Sequence, residues 1–149
     1  GCRLVHLTGH HDPDLGKFRH QNFVAKPFSN QIAALLQHAD LVISRAGAGA
    51  LSEMAVCGSP AILVPYPSAS DNHQDFNAAF FAENGAAVIV HQHEPQEDVL
   101  RTTLSRLLKG RLSSEKSNFD ALSEMKSAMF SLAVKDSDEA LLQTLYQFI

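Results

Sequence analysis

The sequence has little cysteine. Cys2 and Cys57 are far apart, and neither has a partner at metal-ligand spacing. That excludes a disulfide framework and points to a reducing compartment, with both thiols read as ordinary core or surface groups. Basic charge is not in excess: 12 Lys and Arg against 16 Asp and Glu give a formal net charge of −4. A protein held to nucleic acid through its phosphate backbone needs the opposite balance, so any phosphate bound here has to be held locally. No apolar run approaches the roughly 18 residues of a membrane span, and the start lacks the basic-then-apolar profile of a signal peptide. The chain therefore reads as soluble and cytoplasmic. Low-complexity tracts and internal repeats are missing as well.

What is present fits one α/β domain over residues 1–149, with 45% hydrophobic residues to fill a single core. The runs Leu4-Val5-His6-Leu7, Leu41-Val42-Ile43, Ala61-Ile62-Leu63-Val64 and Ala87-Val88-Ile89-Val90 are mostly apolar on successive positions. Parallel strands covered on both faces read this way. A weaker strand is expected through Gln21 to Ala25. Between the strands, Ile32, Leu35, Leu36 and Ala39 fall on one helical face, as do Leu51, Met54 and Ala55. A third helix is expected over Gln74 to Glu83. Beyond Pro95 the pattern is helical, with apolar stripes at Leu100, Leu104, Leu107 and Leu108 and later at Leu141, Leu145, Phe148 and Ile149. The alternation implies a Rossmann-like, doubly wound parallel sheet with a helical C-terminal segment, whose ligands lie at the carboxyl ends of the strands. Three loops after strands stand out: Thr8 to Pro13, Ser44 to Ser52 and Pro65 to Asn77. The chain is already strand-like at Arg3 to Thr8, which is the start expected of a fragment.

The stretch Ser44-Arg45-Ala46-Gly47-Ala48-Gly49-Ala50-Leu51-Ser52-Glu53 follows a strand and opens a helix with no bulky side chain between Ala46 and Ala50. Unpaired N–H groups and the positive end of the helix make such a start a diphosphate site without basic residues. The Walker A ending and the three-glycine dinucleotide spacing are both absent. Taken alone, the loop fits tight helix–strand packing equally well. Glu53 stands where a carboxylate accepts bonds from two adjacent hydroxyls, as a ribose presents them. Without a ligand it is a charge near a helix N-terminus, worth about 0.3–1 kcal/mol.

The loop Pro65 to Asn77 places two prolines at a strand exit and then the polar run Ser68-Ala69-Ser70-Asp71-Asn72-His73-Gln74-Asp75 at a helix start. Hydroxyl, amide, carboxylate and imidazole groups together suit a neutral polyhydroxyl ligand. A solvated loop capped by Ser70 or Asp71 is the alternative. His73 has no second ligand at zinc spacing, so no metal is expected.

Taken together, Ala39 to Ala48, Ser52-Glu53, Gly58 to Pro67 and Asp71 to Ala78 resemble the C-terminal domain of the MurG-like GT-B glycosyltransferases in order and spacing. His6-Leu7-Thr8-Gly9 and Glu83 to Ala87 extend the similarity over most of the chain. The resemblance implies the C-terminal half of a GT-B fold. It also implies the donor-binding half of an inverting N-acetylglucosaminyltransferase, working on UDP-N-acetylglucosamine and a lipid-linked muramoyl-pentapeptide, with no bound metal or cofactor. Peptidoglycan synthesis, and with it cell-wall biogenesis, cell shape and division, follow from that activity. By resemblance Glu53 holds the ribose hydroxyls, and Ala48, Gly49 and Ala50 meet the diphosphate. His73 and Gln74 contact the sugar, Asn77 closes their motif, Phe28 and Ser29 line the uracil, and Arg45 is a further motif position.

This sequence departs from the family pattern in two ways. Ala50 stands where the family often has Thr, which leaves the phosphate to backbone amides. The Gly-rich turn after the first strand of the domain and the whole N-terminal acceptor domain are not in the sequence. The resemblance puts the catalytic base, the acceptor contacts and the membrane contact in that domain, with the full-length protein peripheral on the inner face of the plasma membrane. No residue here is assigned as catalytic. His10, His11 and His20 have the imidazole a base needs, yet they read as polar loop residues. Two other readings stay open: a stand-alone UDP-sugar-binding subunit that recruits a separate acceptor chain, and a GT-B glycolipid synthase using another UDP-sugar.

Overall fold

The computed structural model describes residues 2–10, 20–67, 72–92, 96–112 and 120–134. Its elements run β1 (Leu4–Leu7), β2 (Phe23–Lys26), α1 (Ile32–His38), β3 (Val42–Ser44), α2 (Ala48–Cys57), β4 (Ala61–Leu63), α3 (His73–Glu83), β5 (Ala87–Ile89), α4 (Gln96–Leu112) and α5 (Ala121–Ser131). Every strand pairing among the described residues is parallel, the α/β arrangement that the apolar runs and helical stripes predict. The weak strand expected at 21–25 is β2, two residues later. The stripe at Leu141, Leu145, Phe148 and Ile149 lies outside the described residues, as do His11, Ser70 and Asp71.

The chain divides into two compact units, Gly1–Leu35 and Leu36–Ile149, with α1 running across the boundary. In the first unit β1 and β2 pair from Leu4 opposite Phe23 to Leu7 opposite Lys26. Backbone bonds from Leu4 N–H to Asn22 O (2.8 Å) and from Thr8 N–H to Lys26 O (3.0 Å) close the two ends of the pair. The sequence pattern predicts a first strand covered on both faces, but β1 is exposed at all four positions, Leu4 at 55%. Apolar composition sets the strand; burial needs a second layer, and the exposure of β1 shows that its side chains are not covered by one.

In the second unit β3, β4 and β5 form one parallel sheet in consecutive order. β4 is paired on both edges, and Ala61, Ile62 and Leu63 are fully buried. The core gathers on this strand: Ile62 and Val90 meet Leu107 of α4 and Leu122 and Met125 of α5, with Leu100, Leu104 and Leu108 packed against them. The α4 stripe thus faces the sheet as its spacing predicts. Burying a side chain of this size contributes about 1.5–3 kcal/mol. On α2, Leu51, Met54 and Ala55 form the buried face, and the helix packs on α5. Cys57 is buried and Cys2 exposed, and neither is in a disulfide.

The end of α2 is fixed by Gly58, whose φ of +64° is the left-handed conformation that closes a helix. Its N–H reaches Ala55 O (3.1 Å), and that of Ser59 reaches Met54 O (2.9 Å). A Cβ on Gly58 would run into the ring of Phe130. Because the strands are parallel and joined by helical crossovers, the segments leaving β3, β4 and β5 all emerge at one edge of this sheet.

Candidate functional site

At that edge β3 ends at Ser44, whose hydroxyl donates to Arg45 O at 2.9 Å. Four residues later α2 begins at Ala48, with Gly47 as N-cap in an extended conformation and no side-chain cap. The first intrahelical bond runs from Leu51 N–H to Gly47 O at 3.0 Å. The N–H groups of Ala48, Gly49 and Ala50 precede it and have no partner among the described residues, at the positive end of the helix. A Cβ built on Gly47 or Gly49 meets nothing within 4 Å, and neither glycine has a positive φ. Tight packing against a strand therefore does not account for these two glycines. The space beside both glycines is open.

Arg45 reaches across the sheet edge from the foot of this loop. Its Nη1 donates to Val64 O and Pro65 O, each at 3.2 Å, and to Gln92 Oε1 at 2.9 Å, and the guanidinium lies 5.4 Å from the centroid of the Tyr66 ring. One side chain thus links the exits of β3, β4 and β5. The partners are carbonyl and amide oxygens, so the charge is not spent on an ion pair there.

Helix α3 supplies the second group of polar residues. Its N-cap Asn72 has φ 55° and makes no side-chain cap bond; Asn tolerates this left-handed conformation better than most residues. Gln74 Oε1 accepts from Tyr66 N–H at 3.0 Å, and Asn77 Nδ2 donates to Ala46 O at 3.0 Å. These residues are three apart and so share one helix face. That face ties α3 both to the β4 exit and to the loop before α2. His73 opens the helix and is exposed, while Asp75 sits 3.6 Å from His91 Nδ1 in a solvent-exposed pair.

Glu53 is exposed as the sixth residue of α2, and its carboxylate has no partner among the described residues. The first turn holds no acidic residue, and the favourable effect of the helix terminus fades beyond that turn. A role as a dipole-compensating charge is thereby weakened. Glu53 lies three and four residues after Ala50 and Gly49, on their face of the helix.

The structure brings together Arg45, Gln74, Asn77 and the helix start at Ala48 to Ala50. Phe28 and Ser29 belong to the first unit, in the segment between β2 and α1, where Ser29 Oγ accepts from Gln31 N–H at 3.2 Å and the exposed Phe28 ring stacks with His10 at 6.4 Å. His20 Nδ1 accepts from Asn22 N–H at 3.2 Å. Sequence reasoning missed Gln92 and Tyr66, whose link to Arg45 spans 47 residues in the first case and runs through a ring face in the second. No local motif announces either.

Parallel strands, helical crossovers and open loops at the carboxyl edge of the sheet define the class, a Rossmann-like α/β domain. The chain belongs to the glycosyltransferase family 28 C-terminal domain, whose family model matches residues 2–134. Among curated relatives, the UDP-N-acetylglucosamine--N-acetylmuramyl-(pentapeptide) pyrophosphoryl-undecaprenol N-acetylglucosamine transferase of Synechococcus sp. (strain WH7803) is 60% identical over 141 residues, covering 95% of this chain and 39% of the relative. The enzyme of the same name from Prochlorococcus marinus (strain MIT 9303) is 52% identical over 149 residues, covering 100% of the chain and 41% of the relative. Among solved structures, Acinetobacter baumannii MurG superimposes with a TM-score of 0.79 at 27% identity, over 96% of this chain and 40% of that one. The chain spans about two fifths of the length of these relatives. Among the described residues no helix is long and apolar enough to cross a membrane.

Proposed function

We propose that this chain is the donor-binding part of an inverting N-acetylglucosaminyltransferase that takes UDP-N-acetylglucosamine and glycosylates a lipid-linked muramoyl-pentapeptide, the precursor of peptidoglycan. Family membership and the names of the relatives support the reaction. The observation that carries the site is the start of α2: three N–H groups without partners among the described residues, beside two glycines that neither packing nor backbone conformation demands. In this reading those groups hold the diphosphate. Glu53 accepts from the ribose hydroxyls, and His73 and Gln74 meet the sugar.

In the transfer step an acceptor hydroxyl attacks the anomeric carbon from the face opposite the diphosphate. The bond from that carbon to the diphosphate oxygen breaks, UDP leaves with the electron pair, and the hydroxyl proton passes to a base. The N–H groups of Ala48 to Ala50 and the helix terminus act on the charge that grows on the leaving diphosphate. Base and acceptor contacts are assigned to the acceptor domain, which must close over the donor to bring the hydroxyl in line. In this reading the full-length enzyme is peripheral on the inner face of the plasma membrane.

Calorimetric titration of the chain with UDP, UDP-N-acetylglucosamine and UDP-galactose tests the reading. UDP binds, and Glu53→Ala removes most of that binding while the melting curve of the free protein is unchanged. Silence toward millimolar UDP would overturn the donor site, and tighter binding of UDP-galactose would overturn the sugar assignment.

A further inference from the structure

We propose that Arg45 is a positioning residue rather than a ligand contact: with Gln92 it fixes the exit of β4 so that the amide of Gln74 is held with its Nε2 group presented to the sugar. The inference rests on the donor-site reading above and names what sets the orientation of one of its residues.

The amide of Gln74 has one acceptor and one two-proton donor, and which end faces the ligand decides what it recognises. Its Oε1 is occupied by Tyr66 N–H at 3.0 Å. Among the described residues Nε2 has no partner, and it offers two protons to ligand oxygens and rejects a donor. That orientation lasts only as long as Tyr66 N–H stays in place.

Few main-chain groups are available to hold Tyr66. Pro65 and Pro67 flank it, and neither has an N–H to donate. Val64 N–H is already committed to Ser44 O at 2.8 Å. The carbonyl oxygens remain, and Arg45 Nη1 engages the two that precede Tyr66, those of Val64 and Pro65. The guanidinium also lies over the Tyr66 ring. On its far side the same nitrogen meets Gln92 Oε1 at 2.9 Å, so Gln92 anchors the brace to the segment after β5. A lysine keeps the charge but not the plane, and a single ammonium does not reproduce both the stacking and the bridging.

The test uses Arg45→Lys and Gln92→Ala, which leave the net charge unchanged, with UDP and UDP-N-acetylglucosamine as probes. Each variant is expected to weaken UDP-N-acetylglucosamine binding about threefold to tenfold, the scale of one neutral hydrogen bond, with UDP affinity held within about twofold. In a Gln74→Ala background neither variant causes a further loss, because the brace acts through that amide. In the ligand-free chain both variants shift the side-chain amide resonances of Gln74. Equal losses for UDP and UDP-N-acetylglucosamine would show Arg45 on the diphosphate and overturn the inference. Unperturbed Gln74 amide resonances, or additive losses in the Gln74→Ala background, would overturn it as well. Failure of wild-type protein to bind UDP strikes the donor-site reading instead and is separable from these outcomes.

Discussion

Replacing Gly49 by alanine separates the two explanations of a glycine at a helix start. A Cβ at this position meets nothing within 4 Å, and the backbone is not in the left-handed region. The methyl group therefore causes no clash and reduces the freedom of the unfolded chain, which stabilises a protein by about 0.4–1 kcal/mol. For a chain of this size that raises the melting temperature by about 1–4 °C. Ligand binding is expected to move the other way. With the diphosphate on the N–H groups of Ala48 to Ala50, as proposed, the methyl group crowds it, and lengthening one hydrogen bond to a charged group costs about 1.5–3 kcal/mol. UDP affinity should fall about tenfold to a hundredfold at 1.4 kcal/mol per factor of ten, and further for Gly49→Leu. Thermal melts without ligand and calorimetry with UDP read the two effects separately. A lower melting temperature for Gly49→Ala would show that the glycine serves packing after all. Wild-type UDP affinity in Gly49→Leu would remove the helix start from the binding site.

Gly58→Ala is expected to destabilise the fold by about 2–3 kcal/mol, from the left-handed backbone and the displaced Phe130 ring. The figure stays in this range because Phe130 is 46% exposed and has room to swing away, and urea unfolding measures it. Ala50→Thr adds a hydroxyl among the three open N–H groups and is expected to tighten UDP about twofold to fivefold, less than a full hydrogen bond because Thr lowers helix propensity slightly; calorimetry decides, and weaker binding would count against phosphate at this position.

Much of the fold was legible because the second unit obeys simple patterns. Ala61 to Val64 is apolar on successive positions, and β4 is indeed paired on both edges and buried on both faces. The stripes of α2 and α4 face the core as their spacing requires. The same rule failed for Leu4 to Leu7, because a hydrophobic run reports what a residue prefers and not whether a second layer is there to cover it. At the site, Gly47 and Gly49 were legible as bare positions, but whether they served packing or openness was a three-dimensional question that the empty space before them answers. Arg45 was visible as a motif residue without a role. Its partners come from two other strand exits, and two of them are main-chain carbonyls, which every residue has and no sequence pattern marks.

The most direct test of the central claim is a titration of the isotope-labelled chain with UDP, following the backbone amide resonances. Ala48, Gly49 and Ala50 are expected to shift most and to shift together along one binding curve, while the amides of β4 and α5 stay in place. Saturating UDP that leaves these three unmoved, or moves amides elsewhere in the chain instead, would contradict it.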